Sequence, residues 1–201
     1  ENRASFVKVM DGVRDAAAGG EHSLMLALDG TMLIAGANFC GVDGGETLPK
    51  PVAVSAGVAA IATGASVVLF KKEDGSLWGC GYNRRGALGD GTFVADRYSP
   101  QRMAKDFETF ASGERHTAGI LRRELWATGN NFAGQLGDGT REDRSSFVKI
   151  LDEVEAVAPG YYHTLILKAD GTVWATGDNR RGQLGDGTTE QADKPVKVRL
   201  P

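Results

Sequence analysis

The chain has 201 residues and a formal net charge of −3, from 23 Lys and Arg against 26 Asp and Glu. Without a basic block or stripe it lacks the electrostatic footprint of a nucleic-acid or anionic-membrane binder, and no apolar run approaches the ~18 residues of a membrane span. Two cysteines in a chain of this size do not make a disulfide framework, so Cys40 and Cys80 read as free thiols.

The opening segment, Glu1 to Met10, aligns without a gap with Glu142 to Leu151. Residues 1–12 therefore read as the tail of a repeat whose body is absent. Either a longer array has been cut, or this first strand completes the last unit; with Glu at position 1, a processed or excised piece is expected. Four units follow, at 13–57, 58–106, 107–153 and 154–201. Their opening glycines, Gly19, Gly64, Gly113 and Gly160, are 45, 49 and 47 residues apart. A period of that length marks one supersecondary unit that buries its apolar face only by stacking on copies of itself.

Within each unit a short apolar run precedes the Gly, as in Val58-Ala-Ala-Ile-Ala, and a second follows, as in Leu24-Met-Leu-Ala-Leu. Asp29-Gly30, Asp74-Gly75 and Asp170-Gly171 then separate the second run from a third, a strong hairpin signal because the turn needs positive φ. A polar Gly-rich loop and a fourth run, such as Phe147-Val-Lys-Ile, complete the unit. No long segment keeps a helical period. The third unit lacks the Asp-Gly pair, which predicts a different turn around Arg122 to Glu124, and the first unit departs after Gly41, which predicts its least regular loop. Three or four short antiparallel strands per unit predict an all-β fold, a β-propeller with about four blades present. The chain is expected to be a fragment of a larger ring, the other blades coming from the full-length chain or a second copy.

Several recurring residues invite functional readings. His22, His116 and His163 share a slot that Val67 fills in the second unit, so they read as buried or half-buried histidines bonded to neighbouring backbone. Asp90, Asp138 and Asp186 offer one carboxylate per loop, too few for calcium, and read as turn residues. Trp78, Trp126 and Trp174 read as packing between blades. Asn38, Asn83, Asn131 and Asn179 are expected to tie down the loops through their amides. No catalytic set, metal site or cofactor is expected. The positions that vary within the fixed frame are free of packing needs and are the candidates for partner binding: Glu114, Arg115, Tyr161 and Tyr162 after the opening Gly, and Phe39, Arg84, Arg85, Phe132, Arg180 and Arg181 in the loops. Tyr and Arg are the types that anchor protein interfaces.

The strings Asn131-Phe-Ala-Gly-Gln-Leu-Gly-Asp-Gly-Thr140 and Asn179-Arg-Arg-Gly-Gln-Leu-Gly-Asp-Gly-Thr188, with the His and Asp-Gly-Thr-Val-Trp segments before them, resemble the repeat of the regulator of chromosome condensation family over almost the whole chain. The resemblance implies a propeller, commonly of seven blades. Its members include an exchange factor for a small nuclear GTPase, a plant ultraviolet-B photoreceptor, ubiquitin-ligase subunits and a bacterial β-lactamase inhibitor, which share a rigid disc that displays loops to a protein partner. The photoreceptor's light-sensing tryptophans include ones at positions that here hold Gly20, Ala65, Glu114 and Tyr161, against that mechanism. The expected function is a non-catalytic protein-interaction module; the alternative is an exchange-factor-like regulator of a small GTPase.

Overall fold

The structure, a computed structural model, describes residues 5, 8–44, 46–94 and 96–199. These residues form four antiparallel four-stranded sheets, each with its strands in chain order. The first holds β1 (Val13–Ala18), β2 (His22–Ala27), β3 (Met32–Ala37) and β4 (Thr47–Ser55). The second holds β5 (Val58–Thr63), β6 (Val67–Lys72), β7 (Ser76–Gly81) and β8 (Arg97–Lys105). The third holds β9 (Thr109–Ser112), β10 (His116–Leu121), β11 (Glu124–Gly129) and β12 (Arg144–Leu151). The fourth holds β13 (Val154–Pro159), β14 (His163–Lys168), β15 (Val173–Gly177) and β16 (Ala192–Lys197). The expectation for the opening segment rests largely on residues 1–4 and 6–7, which lie outside the described residues.

The local chemistry makes these meanders. At Asp29-Gly30 the glycine takes φ of 81°, and the Asp29 carboxylate accepts the amide of Thr31 at 2.9 Å. Asp74 and Asp170 do the same for Ser76 and Thr172. The third blade makes its turn otherwise: Arg122 and Arg123 both take positive φ, 52° and 63°, between the paired Leu121 and Glu124. This is a two-residue hairpin turn without glycine.

The four sheets surround one axis. The turns joining their first and second strands, at Gly19, Gly64, Gly113 and Gly160, line a common hollow of about 280 Å³. Backbone bonds step between blades there, from the amide of Gly20 to the carbonyl of Ala65 (3.2 Å) and from the amide of Ala65 to the carbonyl of Gly113 (3.3 Å). A Cβ on Gly64 would overlap the carbonyl of Gly113, and one on Gly113 the carbonyl of Gly160. The opening Gly of each unit is thus a close-approach residue, which is why it recurs.

The core lies in the joints between blades. Alternate residues of each second strand face opposite ways. Leu24 and Leu26 face forward from blade one and pack with Val68 and Phe70, which face back from blade two. Val67 and Leu69 face forward and pack with Leu88 and Phe110. Ala118 and Ile120 meet Ile166 in the third joint. Each fully buried Leu, Ile or Phe contributes about 2 kcal/mol. Trp78 and Trp174 pack against the first and third clusters, as expected of them.

The loop between third and fourth strands extends this stacking. It reaches over the next blade, so that a Cβ on Gly41, Gly86 or Gly134 would press on Tyr98, Arg144 and Ser145, or Asp193. Thr128 donates to the carbonyl of Gly86 at 3.0 Å and Thr176 to that of Gly134 at 2.8 Å. In the first joint Cys80 stands in the threonine slot and is disulfide-bonded to Cys40 in the loop of blade one, with Cα atoms 5.3 Å apart. This corrects the reading of free thiols. A count of cysteines treats them as independent, whereas the repeat brings loop and strand of adjacent blades together in every joint.

The glycines supply a test. Gly134 has φ of 84° and a Cβ there would lie 2.6 Å from the Cα of Asp193, whereas Gly182, at 73°, faces open space. Gly134→Ala is expected to destabilise by about 3 kcal/mol, left-handed strain plus a wedge in the joint. Gly182→Ala is expected to cost about 1 kcal/mol. Urea midpoints at low protein concentration check the difference.

Candidate functional site

In a meander, the turn between strands one and two and the loop between strands three and four lie at the same end of the sheet. All the expected partner-binding positions therefore fall on one face of the arc.

The loops on that face are held rigid from within. In blade three the Asn131 carbonyl oxygen accepts the amide of Leu136 at 3.0 Å, and its amide group donates to Asp138 at 3.0 Å and to the carbonyl of Thr140 at 3.1 Å. Asp138 also accepts the amide and hydroxyl of Thr140, and pairs with Arg144 at 2.6 Å. Asn83 and Asp90 repeat this set with Arg97, and Asn179 and Asp186 repeat it without the arginine. The loop asparagines act as expected, and the aspartates are turn residues with added partners. Asn38 instead bonds both backbone groups of Val42, beside a 3₁₀ turn at Val42–Gly44 that the other loops lack. Among the described residues, no three His, Cys, Asp or Glu side chains gather as metal ligands would.

His22 and His116 sit in the joints, whereas His163 is half-buried on the outer side of blade four. The ring of His116 is buried and its Nε2 lies 3.0 Å from the hydroxyl of Thr164 in the next blade; that of His22 lies 2.5 Å from the hydroxyl of Thr63. Their partners are hydroxyls across a joint, not the backbone anticipated. Burial pushes His22 to about 4 and His116 to about 3, the latter aided by His163. Both rings are neutral at pH 7, unsuited to general acid catalysis there.

The structure gathers some candidates and separates others. Phe132 meets the Tyr162 ring edge to face at 4.9 Å, and Tyr162 meets Tyr161 in the same way at 4.5 Å. Tyr161 is 58% exposed and Phe132 48%. Glu114 lies buried beneath this run and pairs with Arg115 at 3.0 Å, while the Arg115 guanidinium stacks over Tyr82 at 5.1 Å. Burial and the Glu114 carboxylate push the Tyr162 phenol up to about 12. Tyr161, Tyr162, Arg180 and Arg181 line a second hollow of about 560 Å³ at the edge of blade four. Arg180 pairs there with Asp178 at 2.8 Å and, although burial opposes it, holds that carboxyl down to about 2.

The remaining candidates stand apart. Phe39 packs edge-on against His22 at 5.1 Å, Arg84 lies 3.6 Å from Asp96, and Arg85 pairs with Asp143 at 3.0 Å. Tyr82 and Asp178 were missed, although both occupy the residue before the loop Asn, a slot that varies as Ala37, Tyr82, Asn130 and Asp178. The criterion of variation within a fixed frame, applied one residue earlier, finds them.

The comparisons with known proteins agree with this architecture. Two models of the regulator of chromosome condensation (RCC1) repeat match, one over residues 154–183 and the other over 74–120 and 170–201. No curated protein sequence matches the chain. Among solved structures, human WBSCR16 is similar with a TM-score of 0.83 at 23% identity, over 96% of this chain and 54% of that one. Yeast RCC1 (Prp20), in a crystal structure of Kap60 bound to it, gives 0.80 at 21%, over 94% and 50%. Prp20p from Saccharomyces cerevisiae, in a structure reported with its binding properties to Gsp1p and histones, gives 0.79 at 21%, over 94% and 52%. The chain thus spans about half the length of these structures. The repeat motifs, the four meandering blades and the family models agree: the chain carries repeats of the regulator of chromosome condensation type.

Proposed function

We propose that the protein is a non-catalytic interaction module that grips a protein partner with the loop face. The observation that carries this reading is the exposed aromatic run of Phe132, Tyr162 and Tyr161. Large rigid aromatic side chains beside arginines are the composition of interface hot spots, and they lose little entropy on binding. The loops beneath are fixed by their own Asn–Asp–Thr bonds, so the surface is organised before a partner arrives. Histidines held neutral by burial and aspartates bonded into turns support a binding role over a catalytic one.

The triple variant Phe132→Ala/Tyr161→Ala/Tyr162→Ala is expected to weaken partner capture by at least about 100-fold with an unchanged melting profile. Wild-type and variant chains serve as bait in native extract, and the affinity of the captured protein is then measured for both. Undiminished capture by the variant refutes the assignment. The same chain is expected to leave nucleotide release from a panel of small GTPases unchanged. Acceleration would replace this reading with that of an exchange factor.

A further inference from the structure

The fourth strand of each blade pairs with the third on one side, and its other side faces away from the sheet. Which backbone groups face away follows from the repeat. In blade four Val198 donates inward to the carbonyl of Val173 at 2.9 Å. By the alternation of an antiparallel pair, the backbone groups of Pro195 and Lys197 then point outward. Ser145 has the same parity in blade three: its carbonyl accepts the amide of Gly91, from the loop of blade two, at 2.8 Å. The pairs Ala175–Val196 and Ala127–Val148 align the two outer strands, so Phe147 stands where Pro195 does. Pro100 and Pro51 fill that slot in blades two and one, next to the paired Gln101 and Val52.

A proline on an outer strand removes the outward amide that an added strand needs, which is one way natural sheets blunt their edges. Blades one, two and four carry that device, and blade three keeps the amide. Packing does not demand the exchange. The Phe147 ring fills the second joint, against Phe107 (centroids 5.0 Å) and Gly89, and in the third joint Pro195 packs against Gly137 in the same way. The loop of blade two covers only the start of β12, where Asp90 stands opposite Ser146. Phe147 to Leu151 remain, about 17 Å of strand. Lys149, a residue type that guards edges, is drawn toward β11 by Glu124 at 2.6 Å and pairs also with Asp152 at 2.7 Å.

We propose that this edge of blade three takes an extended, proline-free segment of a partner protein as a fifth strand. The outward amides and carbonyls of Phe147 and Lys149 pair with its main chain, and its side chains alternate over the two faces of the sheet. Glu124 and Asp152 share one ammonium, so the far end of the edge is net negative and favours a Lys or Arg in the segment. A second copy fits poorly. Its own β12, laid antiparallel over the same residues, sets Lys149 against Lys149, and a longer overlap meets the blade-two loop at Ser145 and Ser146. Blade three has a neighbour on each side, so its rim does not depend on how many further blades a ring holds. The edge runs toward the Arg122–Arg123 turn, at the end of the sheet opposite the loop face, and is a surface separate from the aromatic run.

A display library of random twelve-residue peptides, depleted on Phe147→Pro, is panned on the unaltered chain. Phe147→Pro and Phe147→Ala both lose the ring, but only proline loses the amide; circular dichroism checks that both fold. The selected peptides are expected to carry a central run without proline and to bind Phe147→Pro at least about 10-fold more weakly than Phe147→Ala. Their binding to Phe132→Ala/Tyr161→Ala/Tyr162→Ala is expected to be unchanged, which separates this site from the loop face. N-methyl groups on alternate residues of a selected peptide, tested on the unaltered chain, are expected to abolish binding in one phase and to be tolerated in the other, and this arm needs no variant to fold. No peptide surviving depletion, equal binding to the proline and alanine chains, or equal sensitivity to both methylation phases overturns the proposal. So does a wild-type dimer that Phe147→Pro dissolves, which would assign the edge to a second copy.

Discussion

Removal of the Cys40–Cys80 disulfide, by Cys40→Ala/Cys80→Ala, is expected to lower the stability of the folded chain by about 4 kcal/mol. The bond closes a loop with a sequence separation of 40, and the chain-entropy relation for a loop of that size gives this magnitude. Both cysteines also belong to the apolar cluster of the first joint, so the loss is felt where blades one and two stack. The other joints show what stands in for the bond: Thr176 donates to the carbonyl of Gly134, beside Ala133. Cys40→Ala/Cys80→Thr copies that pairing into the first joint, with the new hydroxyl directed at the Gly41 carbonyl. It is expected to regain about 1 kcal/mol over the double alanine variant, but not the effect of the cross-link on the unfolded chain. Urea unfolding of the three chains measures both differences. A double alanine chain as stable as the oxidised protein, or a threonine with no advantage over alanine, would count against this account of the joint.

Why the sequence disclosed the blades but not the joints follows from the range of each signal. Asp29-Gly30 and its counterparts are local devices, since a positive φ and an Asp carboxylate bonded two residues on make a hairpin wherever they occur. Arg122 and Arg123 belong to the same class, because the missing pair itself announced another turn. The common face for the variable loops was also legible, because antiparallel strands return every second connection to the same end. Across a joint the partners are some 40 to 58 residues apart, as with Cys40 and Cys80 or Arg85 and Asp143. Nothing in either segment names its partner until the stacking offset is known. The same holds for the aromatic run: Phe132 and Tyr162 were each marked by variation, but they touch only because the loop of blade three overhangs the first turn of blade four.

Acidification is expected to loosen the joints well before most carboxylates protonate. Thr164 gives its hydroxyl proton to the carbonyl of Gln135 at 2.8 Å, so it accepts from His116, which fixes that ring as the Nε2–H tautomer. Thr63 does the same for His22, donating to the carbonyl of Val67 at 2.7 Å. In both rings Nδ1 is buried with no hydrogen-bond partner among the described residues, so a second proton would be placed without an acceptor. With folded-state values near 4 and 3 against 6.5 in the unfolded chain, the unfolded state takes up protons first. The stability these sites contribute is complete above pH 6.5. It falls by at most about 1.4 kcal/mol per pH unit for each ring as the pH drops toward 4 and then 3. For Asp138, burial favours the neutral acid, but the Thr140 hydroxyl and the Arg144 guanidinium outweigh it and keep the pKa below 3.8, so its contribution disappears only in a later and more acidic window. Val67 shows that an apolar side chain fits the histidine slot, and this separates the titration from the packing. His116→Val gives up a hydrogen bond but leaves Thr164 bonded to Gln135, so a loss of about 1 kcal/mol is expected at pH 7. At pH 5, where the wild type already carries the cost of an unprotonated ring, the variant is expected to be the more stable of the two. Urea midpoints of both chains from pH 7.5 to 4.5 should therefore cross; parallel curves would show that His116 takes up its proton in the folded state and that its burial between the blades does not hold it neutral.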